Sequence, residues 1–210
     1  MTHELCKIHR PKTLEQVYGQ PDAVKILQGY LKNKRVPHAL MFFGPSGTGK
    51  TTLARILATE LGCEDIDYNE INCAAVESAI DTIRDIRSKM SLAPMSSGCR
   101  MWVLDELQSF ARAQFSQQAL LKMLEDTPKH VYFVLCTTDP EKVIAAIKTR
   151  CTKLKLESLP NKDIEALVQK VIKAEKLEVP ESVIEQIVDC SEGSARESLV
   201  FLDKVMHLES

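Results

Sequence analysis

The chain has 210 residues and 44% of them are apolar, which is enough for one medium-sized domain with a core and a smaller second one. A formal net charge of -2 excludes a protein coated in basic residues for non-specific nucleic-acid binding, so any contact with nucleic acid has to be a local patch. No run of about 18 apolar residues occurs and the N-terminus lacks a signal-peptide pattern, so we expect neither membrane insertion nor secretion.

Apolar runs recur along the first three quarters of the chain, separated by segments with helical periodicity. Residues 1–20 lack periodicity and predict an extended arm, and the first helix is predicted near residues 22–31. Buried strands are predicted at residues 40–43, 66–71, 100–104, 131–136 and 153–156. This alternation indicates an α/β fold, a five-stranded parallel sheet flanked by helices, with ligands at the carboxyl ends of the strands.

Three helices without further strands are predicted in the last quarter of the chain. Residues that favour a helix start mark their N-termini, namely Asn161, Pro180 and Ser194. Ser194 and Glu197 have the spacing of a capping box. The sequence therefore predicts two domains, residues 1–158 with the sheet and residues 159–210 with the three helices.

A glycine-rich segment after the first predicted strand carries the strongest chemical signal. Residues 44–51 read Gly-Pro-Ser-Gly-Thr-Gly-Lys-Thr, a loop whose backbone N–H groups can point at phosphate oxygens beside the positive end of the next helix. Lys50 opposes that positive end unless an anion is nearby, and Thr51 can offer its hydroxyl to Mg²⁺. The predicted nucleotide-binding residues are Gly44, Pro45, Ser46, Gly47, Thr48, Gly49, Lys50, Thr51 and Thr52. The alternative interpretation is a glycine-rich turn with a solvated lysine.

Two adjacent carboxylates, Asp105 and Glu106, end the third predicted strand. Burying both at a strand end is costly unless a metal ion or a water chain uses them. In phosphoryl-transfer chemistry Asp105 would hold Mg²⁺ through water, and Glu106 would orient and deprotonate the attacking water. The alternative is that the pair caps the next helix, since acidic residues favour helix starts.

The sequence supports three further candidate site residues to different degrees. Thr138 follows the fourth predicted strand, and its hydroxyl could contact a γ-phosphate, although threonine is common at strand ends. Arg150 lies at the end of a predicted helix, where a cation is stabilising without any function. Arg196 opposes the dipole at the start of the last predicted helix, so it favours a phosphate contact.

The cysteines form no recognisable metal-binding pattern. The chain has seven, without a CxxC pair or a histidine at a spacing that suits zinc. We interpret them as reduced, mostly buried thiols in a reducing compartment, and we expect no zinc site. They are Cys6, Cys63, Cys73, Cys99, Cys136, Cys151 and Cys190.

These motifs, in this order, resemble the AAA+ ATPase subunits of DNA-replication clamp loaders, of the bacterial polymerase III gamma/tau type and the replication factor C small-subunit type. The resemblance covers nearly all 210 residues. Beyond the P-loop, the matching segments are an adenine-pocket arm at 9–13 and 17–20, the Walker B end at 105–106, sensor 1 at 136–140, the Ser-Arg-Cys equivalent at 149–151 and sensor 2 at 193–196. It implies a P-loop AAA+ fold followed by a three-helix lid.

The resemblance also implies roles for single residues, with ATP and Mg²⁺ as cofactors. Lys50, Glu106 and Thr138 act in catalysis within the chain, and Arg196 contacts the nucleotide from the lid. Arg150 reaches into the ATP site of a neighbouring subunit. The implied contacts to the base are made by Arg10, Pro11, Val17 and Tyr18.

The implied function is to open a sliding clamp and place it on primer-template DNA, together with other clamp-loader subunits. We expect a cytoplasmic protein of the replisome, in the host-cell cytoplasm if the chain is viral. Arg84 and Arg87 correspond to a helix near the DNA path, with a solvated helix face as the alternative. Residues 91–95 fall where the family touches the clamp, or they tuck onto the chain's own core.

The sequence departs from the family in several places, none of which removes a catalytic group. Gln108 replaces the usual histidine after Walker B, His9 replaces an aromatic residue, and Thr149 replaces the serine of Ser-Arg-Cys. The four-cysteine zinc module and the C-terminal collar are not found, so we expect a truncated or naturally short relative. Two other functions stay open: a helicase-like AAA+ DNA-remodelling motor, and a nucleotide-binding scaffold without turnover, which would need neither Glu106 nor Arg150.

Overall fold

A parallel sheet forms the centre of the structure, a computed structural model that describes residues 5–95, 98–112 and 114–208. The strands pair in the order β2-β3-β4-β1-β5, and every pair is parallel. They are β1 (Ala39–Phe43), β2 (Tyr68–Asn72), β3 (Arg100–Asp105), β4 (Val131–Thr137) and β5 (Thr152–Lys155). The predicted five-stranded parallel sheet is confirmed.

The strand register brings several chain segments to one edge of the sheet. Phe43 at the end of β1 is in register with Thr137 at the end of β4, and Asn72 at the end of β2 is in register with Asp105. Because these strands are parallel, the loops that leave them start side by side. This edge is where the site is built.

Helices surround the sheet and then continue beyond it. The α-helices are α1 (Leu5–Ile8), α2 (Pro21–Lys32), α3 (Lys50–Glu60), α4 (Ala79–Met90), α5 (Gln114–Glu125), α6 (Ala145–Arg150), α7 (Asn161–Glu175), α8 (Glu181–Cys190) and α9 (Ala195–Leu208). Short 3-10 helices lie at Leu14–Gln16, Leu107–Arg112 and Pro140–Lys142.

Both faces of the sheet are covered, because alternate residues of the inner strands point to opposite sides. Met41 and Trp102 pack in one core with side chains of α4 and α5. Leu40 and Val103, one residue along in each case, pack in a second core with side chains of α2 and α3. The near-continuous apolar runs in the sequence follow from this two-sided burial.

The second strand begins later than its predicted start at residue 66. Ile66 is 60% exposed and lies outside the strand, which starts at Tyr68. Asp67 between them is fully buried and accepts a hydrogen bond of 2.9 Å from Arg100. The apolar side chain of Ile66 therefore gave the pattern of a strand in the sequence, although the strand itself starts two residues later.

The last three helices follow the sheet, as predicted, and they enclose a core of their own. Leu5 of α1 is buried in the same core, so the N-terminal segment is not wholly extended: residues Leu5–Ile8 form a short helix against the three-helix unit. The predicted domain boundary between residues 158 and 159 stays a prediction.

Of the three helix starts predicted from single residues, one has the predicted side-chain cap and two differ in position. Asn161 is not the cap of α7, because Pro160 occupies that position and no side-chain cap bond is formed there. Pro180 is the N-cap residue of α8 and lies one position before its first turn. Ser194 does cap α9, since its Oγ accepts a hydrogen bond of 3.2 Å from the N–H of Glu197.

Candidate nucleotide-binding site

A pocket of about 310 Å³ lies at the carboxyl edge of the sheet, between the glycine-rich loop, the N-terminal arm and the three-helix unit. The following predicted site residues line it: Arg10, Pro11, Val17, Tyr18, Ser46, Gly47, Thr48, Gly49, Lys50, Thr51, Thr52, Asp105, Glu106 and Arg196. The structure thus brings together residues that are up to 186 positions apart, Arg10 and Arg196. Gly44, Pro45, Thr138, Arg150, Arg84 and Arg87 are not among its lining residues.

The glycine-rich loop has a backbone that side chains disfavour. Gly47 has φ +74° and Gly49, the N-cap of α3, has φ +101°. A Cβ on Gly47 would come within 1.9 Å of Ser194 Oγ. Glycine is therefore needed at position 47 both for the turn and for the close approach of the α9 start to the loop.

Lys50 is held inside the loop that precedes it. Its Nζ donates hydrogen bonds of 2.8 Å to the carbonyl of Gly44 and 2.7 Å to the carbonyl of Pro45, and the residue is 7% exposed. Burial lowers the pKa of the Lys50 ammonium group, against the attraction of Asp105 and Glu106. An ammonium group held only by carbonyl oxygens at a helix N-terminus is stabilised further by any anion in the pocket.

Three cations from distant parts of the chain line the pocket, namely Arg10, Lys50 and Arg196. Burial lowers the pKa of the Arg10 guanidinium below its ordinary value, and the charges of Arg55 and Arg196 lower it further. The charge of Arg196 also lowers the pKa of Lys50. The pocket therefore carries a repulsion among cations that a polyanionic ligand would remove.

The acidic end of β3 meets the first turn of α3. Thr51 donates a hydrogen bond of 2.9 Å to Asp105 Oδ2, and Asp105 Oδ1 accepts the N–H of Glu106 at 2.9 Å. A hydroxyl and a carboxylate at this separation are the oxygen donors that Mg²⁺ prefers, so these two residues fit a magnesium site beside the loop. Glu106 has φ +54°, a strained backbone for a residue with a side chain.

Gln108 forms a polar network beside Glu106 that the sequence did not reveal. Its Nε2 donates to Glu106 Oε2 and, at 2.9 Å, to Thr138 Oγ1, while its Oε1 accepts a hydrogen bond of 2.7 Å from Thr137. Thr138 is thus linked to Glu106 through one amide although it does not line the pocket. Sequence reasoning treated Gln108 only as a departure from the family pattern.

Arg150 lies apart from this chain's own pocket. It is the last residue of α6 and forms an ion pair of 2.7 Å with Glu125, the last residue of α5. Both side chains are partly exposed, at 55% and 40%. The geometry leaves Arg150 on the surface, where a neighbouring molecule can meet it.

The candidate DNA contacts on α4 already have partners within the chain. Arg84 pairs with Asp81 at 3.2 Å, and Arg87 pairs with Asp126 at 3.2 Å. Each pair is largely exposed and is weak in water. Their positions on the surface allow phosphate contact, but the neighbouring carboxylates reduce the attraction to it.

The apolar loop after α4 is not packed onto the core at its tip. Leu92 is 60% exposed and Met95 is 77% exposed. The backbone of the loop is held by a buried ion pair. Arg100 donates a hydrogen bond of 3.2 Å to the carbonyl of Ala93, and Asp67 accepts one of 3.1 Å from the N–H of Met95. The loop presents two apolar side chains on a rigid support.

Other residues line the pocket that the sequence did not single out as nucleotide contacts. They are Cys6, His9, Asn72, Leu159, Leu167, Ala195 and Leu199. Asn72 follows the strand-end rule that identified Asp105 and was missed because its strand is short and half exposed. His9 forms a hydrogen bond of 2.6 Å with Glu175, which joins the arm to α7. Leu167, Ala195 and Leu199 belong to α7 and α9, and Leu159 lies two residues before α7.

Outside the gaps at 96–97 and 113 and the ends of the chain, no three His, Cys, Asp or Glu side chains are grouped so that they could hold a metal ion. In that same part of the chain, no helix has the length and apolar character to cross a bilayer.

Comparison with known proteins agrees with the geometry. Residues 40–158 match the family model described as ATPase family associated with various cellular activities (AAA). The chain is 33% identical to DNA polymerase III subunit tau of Bacillus subtilis (strain 168) over 222 residues, 96% of this chain and 39% of that protein. It is 31% identical to DNA polymerase III subunit gamma of Buchnera aphidicola subsp. Schizaphis graminum, over 97% of this chain and 61% of that protein.

The chain therefore spans between about two fifths and three fifths of the length of these two curated relatives. Among solved structures it is similar to the Thermotoga maritima RuvB Holliday junction branch migration motor, with a TM-score of 0.74 and 22% identity. That match covers 93% of this chain and 64% of the RuvB chain. At this identity the likeness concerns the fold alone.

Proposed function

The chain belongs to the AAA family of ATPases, and we propose from that premise that it is an ATP-hydrolysing subunit of a clamp loader. In this proposal the protein opens a sliding clamp and places it on primer-template DNA during replication, in the cytoplasm. The relatives that support it are DNA polymerase III tau and gamma subunits, which match almost the whole of this chain.

One observation carries the nucleotide part of the proposal: Arg10, Lys50 and Arg196 surround a single pocket whose floor is a glycine-rich loop at a helix N-terminus. Arg196 repels both other cations, and its charge lowers the pKa of each. A nucleoside triphosphate supplies the negative charge that such a site lacks. The apolar side chains of Val17, Tyr18 and neighbouring lid residues would then face the base.

Hydrolysis would use the acidic end of β3. Glu106 is the proposed general base, oriented by the Gln108 amide so that its carboxylate can take a proton from the attacking water. Thr138, on the same amide, would contact the γ-phosphate or the water. Thr51 and Asp105 would hold Mg²⁺, which when bound neutralises charge on the outer phosphates.

Completion of the site by a second chain is part of the proposal. Arg150 is the arginine finger, and its place on the surface, outside its own pocket, supports a role on the nucleotide of a neighbour. Such fingers contribute about 10³- to 10⁵-fold in rate in other NTPases. The isolated chain should therefore hydrolyse ATP slowly.

The proposed partners are other clamp-loader subunits, the sliding clamp and primer-template DNA. Exposed Leu92 and Met95 on their fixed loop support a contact with the clamp. Arg84 and Arg87 on the α4 surface are the proposed DNA contacts, and they would have to exchange Asp81 and Asp126 for phosphate. The net charge of -2 limits DNA binding to such a patch.

The test is the steady-state ATPase rate with and without primed DNA and a sliding clamp. We expect stimulation by the two together, loss of turnover with retained ATP binding in Glu106→Gln, and loss of the stimulated rate alone in Arg150→Ala. No saturable binding of Mg²⁺-ATP by folded protein would overturn the proposal. Binding without stimulation by clamp and DNA would overturn the clamp-loader part and leave the nucleotide site.

Mixing the two inactive variants tests the finger directly. An interface between one Glu106→Gln chain and one Arg150→Ala chain contains a site with both Glu106 and Arg150 intact only if the finger acts between chains. We expect the mixture, under conditions in which the chains associate, to recover part of the stimulated rate. A mixture as inactive as its components would place Arg150 outside the neighbour's site.

A further inference from the structure

Two cysteines flank a close backbone contact outside the nucleotide pocket, where the end of α3 meets the start of β3. The backbones of the two segments are in close contact, because a Cβ on Gly98 would lie 2.0 Å from the carbonyl oxygen of Gly62 and 3.7 Å from the N of Cys63. Cys99 follows Gly98 directly, and its Sγ lies 3.8 Å from the carbonyl oxygen of Leu61. Glycine at position 98 thus allows the segment after α3 and the segment before β3 to come this close.

Cys63 and Cys99 flank this contact, and both thiols are free. Cys63 Sγ lies 3.8 Å from the carbonyl oxygen of Glu64. Cys63 is half-buried, so a small molecule reaches it, whereas Cys99 is 6% exposed. The interaction with the Cys99 thiol lowers the pKa of the Cys63 thiol, against burial, which raises it. The interaction with Cys63, and then burial, raise the pKa of the Cys99 thiol.

We propose that Cys63 and Cys99 form a reversible disulfide when the protein meets hydrogen peroxide, with Cys63 attacking first and Cys99 resolving. The Cys63 thiolate attacks a peroxide oxygen, the O–O bond breaks, and Cys63 sulfenic acid and hydroxide are formed. The Cys99 sulfur then attacks the sulfenic sulfur, the S–O bond breaks, and water leaves as the S–S bond forms. Overall, two thiols are oxidised and one peroxide is reduced to two waters.

The bond would restrain a functional part of the fold. It would close the segment that holds β2, α4 and residues 91–95, and it would fix the end of α3 to the strand that carries Asp105. Hydrogen bonds to Asp67 and Arg100 hold residues 91–95, and Arg100 directly follows Cys99 in the chain. The pair is therefore placed to stiffen the base of the exposed apolar loop during oxidation.

The experiment treats the reduced full chain with hydrogen peroxide, blocks remaining thiols with N-ethylmaleimide and maps the tryptic peptides by mass spectrometry. We expect free thiols under denaturing conditions to fall from seven to five, and to return to seven with dithiothreitol. The linked peptides should be 56–84 and 90–100. Because peptide 56–84 also contains Cys73, fragmentation has to place the bond at Cys63.

Matched variants separate the pair from general oxidation. Cys73→Ser should leave the cross-link intact, and Cys99→Ser should abolish it and leave Cys63 as a sulfenic acid that dimedone labels. Exposed Cys190 serves as an internal reference and should be oxidised later than Cys63. Cys63 oxidised to sulfinic acid while Cys99 remains alkylatable, or linkage at another cysteine in the wild-type chain, would overturn the proposal.

Discussion

The hydroxyl of Thr51 donates to the carboxylate of Asp105 over 2.9 Å, and this contact joins the first turn of α3 to the end of β3. The residues are 54 positions apart in the chain. A parallel sheet makes the contact possible, because the loops after β1 and β3 leave the same edge. These two side chains are the proposed Mg²⁺ ligands.

Thr51→Val keeps the shape of the side chain and removes the oxygen. We expect the Mg²⁺ concentration that supports half-maximal binding of a fluorescent ATP analogue to rise about 10-fold or more, since a lost metal contact typically costs that much affinity. Thr51→Ser is the control and should bind as wild type. An unchanged Mg²⁺ dependence in Thr51→Val would remove the residue from the metal site.

Gln108 is predicted to position Glu106. Gln108→Leu removes the amide that joins Glu106 to Thr138, so we expect kcat for ATP to fall roughly 10- to 100-fold, less than the loss of a general base, which contributes about 10² to 10⁴. ATP affinity should change little, because Gln108 does not line the pocket. Gln108→His, which restores a neutral donor, should keep more activity. Equal losses in both variants would contradict positioning by hydrogen bonding.

The fold could be predicted because buried parallel strands have a strong sequence signal. The runs at β1, β3 and β4 are apolar on both faces, and the structure places them where the sequence did. The predicted start of β2 was two residues too early, since the strand is half exposed and the apolar Ile66 before it gave a strand pattern. Leu5 was missed as a core residue because its helix has only four residues and depends on the three-helix unit.

Local physics predicted the site only where one segment carries its own chemistry, whereas the family resemblance supplied Arg10 and Tyr18. The residues around Lys50 and Asp105 violate local preferences and so stand out in sequence. Gln108 and Asn72 are ordinary polar residues whose importance depends on what the fold brings beside them. The convergence of Arg10 and Arg196 depends on how the arm and α9 pack, which no single segment encodes.

The buried pair between Asp67 and Arg100 should dominate the stability of the loop region. Asp67 is fully buried and accepts from both Nε and Nη2 of Arg100, at 3.1 and 2.9 Å. Arg100→Leu removes the cation beside that carboxylate, which keeps the N–H of Met95 as a hydrogen-bond donor. We expect a loss of about 3 to 5 kcal/mol in the free energy of unfolding, measured by urea titration.

Two controls belong to that stability prediction. Arg87→Leu breaks a largely exposed pair with Asp126 and should cost less than about 1 kcal/mol. The double change Asp67→Leu with Arg100→Leu removes both charges and should cost less than Arg100→Leu alone. If the double variant lost as much free energy of unfolding as Asp67→Leu and Arg100→Leu lose when added together, Arg100 would contribute packing rather than charge.

Two glycines separate backbone strain from contact with α9. Gly47 and Gly62 have φ values of +74° and +72°, but only Gly47 faces the start of α9. Gly62→Ala should therefore cost about 1 kcal/mol in stability and leave ATP binding unchanged. Gly47→Ala adds a clash with Ser194, so the loop and α9 must separate.

Because the same separation moves Arg196 away from the phosphates, we expect ATP affinity of Gly47→Ala to fall about 10-fold or more, which corresponds to about 1.4 kcal/mol. Binding is measured by titration of a fluorescent ATP analogue, and stability by urea unfolding. Adding Ser194→Gly removes the Oγ that the new methyl group meets at 1.9 Å and should restore part of the affinity. If Gly62→Ala weakened ATP binding as much as Gly47→Ala, strain alone would explain the loss, and contact between α9 and the loop would have no part in holding the nucleotide.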